Sequence, residues 1–309
     1  MPFAPSSRTR PARLLRRRNE GGGRKNSGRG PGLSGLQVFT PMKGRVLIVA
    51  GSDSGGGAGI QADIKTVTAL GGFAATALTA LTAQNTLGVH GVHPVPLDFI
   101  TQQMEAVLTD IGADVVKTGM LGTSEVIETV CRALERHAAG IPLVVDPVMV
   151  AKGGHSLLAA EAVDTLRRRL LPMAAVLTPN LPEAEALAGM SIGSVAEMRI
   201  AAMALLALGV PAVLLKGGHL PGDELTDLLA TPEGIEAFTA PRIPTRHTHG
   251  TGCTTASAVA AGLAQGMTLR DAVIRARAYV RAAIAAAPGY GGGHGPLDHG
   301  VTVDVGRLG

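Results

Sequence analysis

The run GTGCT at 250–254, set directly before a stretch rich in Ala and Ser, is the part of this sequence with the clearest chemical use. Glycines let successive backbone N–H groups turn into one concavity, and a helix starting there adds partial positive charge. Gly250, Thr251 and Gly252 would so form an anion hole for phosphoryl oxygens. Each such contact contributes about 0.3–1 kcal/mol at an exposed helix end. Cys253 falls in the first turn, where a thiolate is stabilised, so its pKa is expected well below about 8.5. Its sulfur would then take a proton from a hydroxyl attacking phosphorus. The second cysteine, Cys131, shares a helical face with Ile127, Val130 and Leu134 and reads as core.

Other nucleotide signatures are missing. There is no G-x-x-x-x-G-K-[ST] loop, and the glycines at 55–59 do not fit G-x-G-x-x-G with an acid at the ribose-binding distance. The GSDSG run at 51–55 places Asp53 where a nucleophilic serine would stand. Asn180 and Glu183 lie three apart at a helix start, a spacing that also suits a capping box. The histidines at 219, 247, 249, 294 and 299 show no ligand spacing; loop hydrogen bonding is expected of them, and no zinc.

The elements that must position these residues alternate. Aliphatic runs at 45–50, 74–81, 115–117, 143–145, 174–177 and 212–215 read as strands. Helical patterns follow at 59–70, from 96–98 to 108, at 124–137, at 161–170, from Pro182 onward and at 194–208, with Thr123 or Ser124 as a cap and Pro182 at a helix start. Beyond 218 the pattern is irregular until helices at 253–264 and 269–286. Such alternation predicts βαβ units and a mostly parallel sheet, with ligands at the carboxyl ends of its strands. Those ends carry Gly51, Asp53, Asp146, Asn180, Lys216 and Gly217.

Composition narrows the classes further. Hydrophobic residues make up 46% of the 309 and aromatics only 2%, which argues against stacking platforms for single-stranded nucleic acid. The formal charge of +4 misleads, because residues 1–41 hold nine basic residues and one acid. The remainder is mildly acidic, so no nucleic-acid partner is expected. Two distant cysteines fit a reducing cytosol, and no apolar stretch is long enough to suggest a membrane partner. Residues 1–41 are expected to form a disordered basic tail or to follow from a start codon upstream of Met42, with one domain over 42–309.

Seven segments then act together: GSDSGGGAGIQAD at 51–63, LTALTAQN at 78–85, KTGML at 117–121, VDPVMV at 145–150, LTPNLPEAE at 177–185, LKGGH at 215–219 and HGTGCT at 249–254. In this order and spacing the chain resembles the hydroxymethylpyrimidine/phosphomethylpyrimidine kinases of thiamine biosynthesis, within the ribokinase-like superfamily. GHGPL at 293–297 resembles that family's ending. The resemblance implies a three-layer α/β/α sandwich, ATP and Mg²⁺ as cofactors, a small pyrimidine substrate, a cytoplasmic location and a homodimer. It implies that Gly51, Asp63, Gln84, Met120 and Val148 bind the pyrimidine, that Cys253 is the base and that Gly250, Thr251 and Gly252 are the anion hole. It further implies that Asp146, Asn180, Lys216 and Gly217 serve the nucleotide, with Asp146 and Glu183 on the metal. A pyridoxal/pyridoxine kinase of the same fold is the competing expectation, and a non-catalytic regulatory protein is the reading from another class.

Overall fold

The computed structural model describes residues 43–149 and 157–308. The expected tail at 1–41 lies outside them, as does the end of the VDPVMV segment at Val150.

The first strand shows how the layers arise. β1 (Arg45–Asp53) is buried almost throughout, because side chains alternate across a sheet that is covered on both faces. Leu47 and Val49 join one core with Ile100, Met104 and Ile127; Val46, Ile48 and Ala50 join another with Ile60, Val67, Ala256 and Ala260. The first core is covered by α2 (Leu97–Asp110), α3 (Ser124–His137), α4 (Ala160–Thr165), α5 (Leu181–Ala188) and α6 (Val195–Leu206). The second is covered by α1 (Gly59–Ala69) and α7 (Thr251–Ala264), with α8 (Leu269–Ala285) packed beside α7. The result is the three-layer sandwich.

The described residues form one nine-stranded sheet. Its other strands are β2 (Phe73–Asn85), β3 (Gly88–Pro94), β4 (Val115–Thr118), β5 (Leu143–Val145), β6 (Val176–Leu177), β7 (Val213–Leu215), β8 (Glu224–Thr231) and β9 (Gly234–Pro241), in the order β3-β2-β1-β4-β5-β6-β7-β8-β9. The six in the stretch β2-β1-β4-β5-β6-β7 are parallel, and antiparallel strands finish both edges. β2 lies on one side of β1 and β4 on the other, so the strand order reverses there and opens a crevice at the carboxyl ends.

Three expectations change. β3 was not read as a strand: GVHGVHP is glycine-rich and largely exposed, and only pairing with β2 holds it extended. The irregular stretch after 218 contains the β8–β9 hairpin, registered residue by residue from Glu224–Pro241 to Thr231–Gly234. The helix expected over 161–170 is regular only to Thr165, then widens over Leu166–Leu170 and tightens over Leu171–Met173. No helix among the described residues is long and apolar enough to cross a membrane.

Candidate active site

A cavity of about 610 Å³ opens at the crevice, floored by the strand ends and closed on one side by the start of α7. Gly250 is the residue before that helix, with φ of +87°. A side chain there would bring its Cβ 1.8 Å from the Gly57 carbonyl oxygen, so this position admits only glycine. The two glycine-rich loops therefore touch. Asp53 shapes the first of them: its carboxylate accepts N–H bonds from Gly55, Gly57 and Ala58 at 2.8, 3.1 and 2.8 Å. His249 Nε2 stands 2.8 Å from the same carboxylate and ties the second loop to the first. Burial pushes the Asp53 carboxyl up, but His249 and the loop N–H groups outweigh it and hold it below the usual range. Within α7, the Thr254 N–H reaches Gly250, while the N–H groups of Gly252 and Cys253 find no acceptor among the described residues. They remain free for an anion.

At one end, Gly51, Gln84, Met120 and Val148 line the cavity. The Met120 methyl lies only 2.3 Å from where a Gly51 Cβ would be, so the missing side chain is what makes room for Met120. Gln84 Nε2 is 3.4 Å from His249 Nε2, and Thr82 Oγ1 donates to Gln84 Oε1 at 3.2 Å.

The opposite end is charged. Lys216, at the close of β7, donates to Asp146 Oδ1 at 3.2 Å. Burial opposes the Lys216 charge, but Asp146 and Glu183 prevail and raise its pKa. Asn180 caps α5: its side chain accepts from the Glu183 N–H at 3.0 Å, and the Glu183 carboxylate accepts from the Asn180 N–H at 2.8 Å. The capping box is thus real, and both residues also line the cavity. Burial, with Asp146 nearby, lifts Glu183 to about 7 against the pull of Lys216. Asp146 Oδ2 is buried and has no hydrogen-bond partner among the described residues. An orphaned carboxylate oxygen beside a second acid suits a hard cation that keeps water and phosphate as its other ligands. Among the described residues no group of three His, Cys, Asp or Glu forms an all-protein cage. Mg²⁺ held through phosphates fits this donor set; a protein-caged metal does not.

Comparison with known proteins decides the family. A profile described as phosphomethylpyrimidine kinase matches residues 53–298. The chain belongs to the phosphomethylpyrimidine kinase family. It is 53% identical over 257 residues to a thiamine biosynthesis bifunctional protein of Geobacter sulfurreducens, covering 83% of this chain and 52% of that longer protein. It is 52% identical over 255 residues to the hydroxymethylpyrimidine/phosphomethylpyrimidine kinase of Streptomyces coelicolor, covering 82% of this chain and 94% of the relative. Among solved structures, the pyridoxal kinase of Bacillus subtilis in complex with ADP superposes with a TM-score of 0.78 at 38% identity, over 84% of this chain and 98% of that one. The phosphomethylpyrimidine kinase of Clostridium difficile gives 0.69 at 40% identity, over 77% and 98%. These likenesses agree with the ribokinase-like sandwich.

Within this family member, most residues singled out from sequence meet at the cavity: Gly51, Gln84, Met120, Asp146, Val148, Asn180, Glu183, Lys216, Gly250, Thr251, Gly252 and Cys253 all line it. Three expectations are corrected. Asp63 has no face on the cavity. It is fully buried, with Lys117 Nζ 2.9 Å from each of its oxygens and Ser257 Oγ donating at 2.6 Å. Gly217 is not among the residues that line this cavity; a Cβ there would fall 1.9 Å from the Thr226 carbonyl oxygen, and it is glycine so that β8 can approach. Cys253 does not have a depressed pKa. Burial raises the thiol to about 12, Asp63 and Asp146 add to that, and Lys117 and the Gly59 N–H only partly oppose it. Sequence reasoning placed Asp53 at a strand end and Lys117 in the KTGML segment but gave neither a role. An Asp two residues ahead of three glycines was the available signal for the first, since such a carboxylate readily accepts loop N–H bonds. A lysine inside a short run that otherwise reads as a buried strand was the signal for the second.

Proposed function

We propose that the chain transfers the γ-phosphoryl group of ATP to the hydroxymethyl oxygen of 4-amino-5-hydroxymethyl-2-methylpyrimidine. It then phosphorylates the monophosphate to the diphosphate, in thiamine biosynthesis. The observation that carries this reading is the polarity of one cavity. An amide and apolar walls at Gln84, Met120 and Val148 face a phosphate end made of Lys216, Asp146 and the start of α7. The ring lies against Met120 and Val148, with the Gln84 amide reading its donor and acceptor edge. A second cavity of about 370 Å³ adjoins the phosphate end, with Leu225, Ile243, Val280 and Ile284 among its lining, and takes the nucleoside of ATP.

The hydroxymethyl oxygen attacks the γ-phosphorus as the bond to ADP breaks. The free N–H groups of Gly252 and Cys253, together with Lys216, receive the charge spreading over the phosphoryl oxygens. Asp146 and Glu183 would hold Mg²⁺, which would supply charge neutralisation at the phosphates. The Cys253 thiol keeps its proton at rest. In a loose transition state the hydroxyl proton leaves late, so positioning and the anion hole carry most of the rate; the sulfur accepts that proton only from its thiolate form, after its own proton has passed to solvent. We also retain the homodimer that the family resemblance implied; sedimentation as a monomer at micromolar concentration would reject it.

One observation favours a second reading, pyridoxal kinase, namely the superposition on the Bacillus subtilis pyridoxal kinase. An ATP-consumption assay with hydroxymethylpyrimidine, its monophosphate and pyridoxal side by side separates the two. Turnover is expected on both pyrimidines, and a higher kcat/KM on pyridoxal would replace the proposal.

A further inference from the structure

Lys117 is the bulkiest fully buried side chain among the described residues, and the phosphoryl-transfer scheme above does not use it. Its ammonium is clamped by both Asp63 oxygens at 2.9 Å. Asp63 is held in turn by Ser257, so the cluster joins β4, α1 and α7. An ion pair so deep in the interior contributes little net stability, because desolvation offsets the attraction; an apolar pair of equal volume commonly does as well. Two facts connect the cluster to the cavity. Gly119 lines the floor, and a Cβ there would lie 3.1 Å from Lys117 Nζ, so only a glycine separates the ammonium from the site. Ser257 is four residues beyond Cys253 on α7, which puts the two on one helix face.

We propose that Lys117 is a positioning residue for Cys253: clamped by Asp63 and anchored to α7 through Ser257, its ammonium fixes the first turn of that helix and supplies the countercharge the sulfur needs when it gives up or receives a proton. The proposal rests on the phosphoryl-transfer reading for its role in turnover, but not for its effect on the sulfur. The charged groups that act on Cys253 are Lys117 from β4, Asp63 from α1, Asp146 after β5 and Lys216 after β7. Lys117 is the leading influence favouring the thiolate, and Asp63 acts in the opposite sense. Asp63 is thereby assigned to holding the lysine, which explains why both its oxygens are committed away from substrate.

The test uses the full chain and the charge-free double variant Lys117→Met/Asp63→Asn, which leaves no unpaired charge in the interior. Cys131 is fully buried, so iodoacetamide alkylation of the folded protein reads Cys253 alone. The alkylation rate is followed from pH 7 to 11 beside kcat and KM for hydroxymethylpyrimidine. The expected result is alkylation at least threefold slower at pH 9, a profile displaced to higher pH, and a kcat about tenfold lower at unchanged KM. A folded double variant with the wild-type alkylation profile overturns the proposal. If that variant does not fold, Ser257→Ala decides: slower alkylation with lower kcat supports it, and wild-type values for both overturn it. Should the wild-type chain turn over neither pyrimidine while the alkylation shift appears, the functional reading fails and the assignment of Lys117 stands.

Discussion

Replacing Gly250 with alanine tests the contact on which the anion hole depends. The new Cβ would meet the Gly57 carbonyl oxygen at 1.8 Å, whereas ordinary contact begins near 3.4 Å, so the loops must part by about 1.5 Å. The overlap is with backbone, and no rotamer relieves it. Holding a non-glycine residue at φ of +87° costs about 1–2 kcal/mol more. With overpacking of about 1–3 kcal/mol, the variant should lose about 2–5 kcal/mol. In a domain of this size that corresponds to a Tm lower by about 5–15 °C. The larger effect is on rate. A displacement of about 1 Å at a transferring group costs about 10²-fold, so kcat should fall by that factor or more while the protein still folds. Gly262→Ala is the control, because its Cβ would stand 2.6 Å from the Ala272 Cβ, where α7 packs on α8. Differential scanning fluorimetry and the coupled ATP assay at 25 °C read both variants. Gly262→Ala should lower Tm with kcat within about threefold of wild type. Wild-type kcat in Gly250→Ala, or equal losses of kcat in both variants, would refute the claim that the meeting of the two loops positions the phosphoryl group.

Cys253→Ala should retain the wild-type circular dichroism spectrum and lower kcat by about 10²-fold; unaltered turnover would leave the anion hole as the whole of the catalytic apparatus. Asp146→Asn removes the orphaned carboxylate oxygen and should raise the Mg²⁺ concentration for half-maximal rate by about tenfold, read by metal titration at saturating ATP. An unmoved titration would place the metal elsewhere. His299 is buried and bonded to Thr254 Oγ1 at 3.0 Å, and burial, reinforced by Lys65, pushes its pKa down to about 4. Because the unfolded chain protonates near 6.5 and the folded one does not, stability should fall by about 3 kcal/mol as pH drops from 6.5 to 4 and level off below that. Urea midpoints across this range should show the loss in the wild type and less of it in His299→Gln.

The amino-acid order alone determined the layered architecture and the chemical ends of the site. Aliphatic runs that stop at Gly51, Asp146 and Lys216 announce buried parallel strands, and their final residues have nowhere to go but the crevice. GTGCT before a helix announces an anion site because backbone geometry there is local. Local signals also yielded the Asn180–Glu183 spacing, though not whether it served capping or chemistry; the fold gives it both. What the order could not determine was environment. Cys253 sits at a helix start as read, yet its titration is governed by burial and by Asp63 and Asp146, which come from distant parts of the chain. Asp63 carries the same motif whether it faces a pyrimidine or a lysine 54 residues away, and only packing of α1 against β4 and α7 turned it inward. Gly217 and Gly250 look alike in sequence; one is glycine for the sake of Thr226 and the other for Gly57. Spacing along a chain fixes which residues share an element and a face, whereas charge, solvation and close approach depend on what other elements bring to that face.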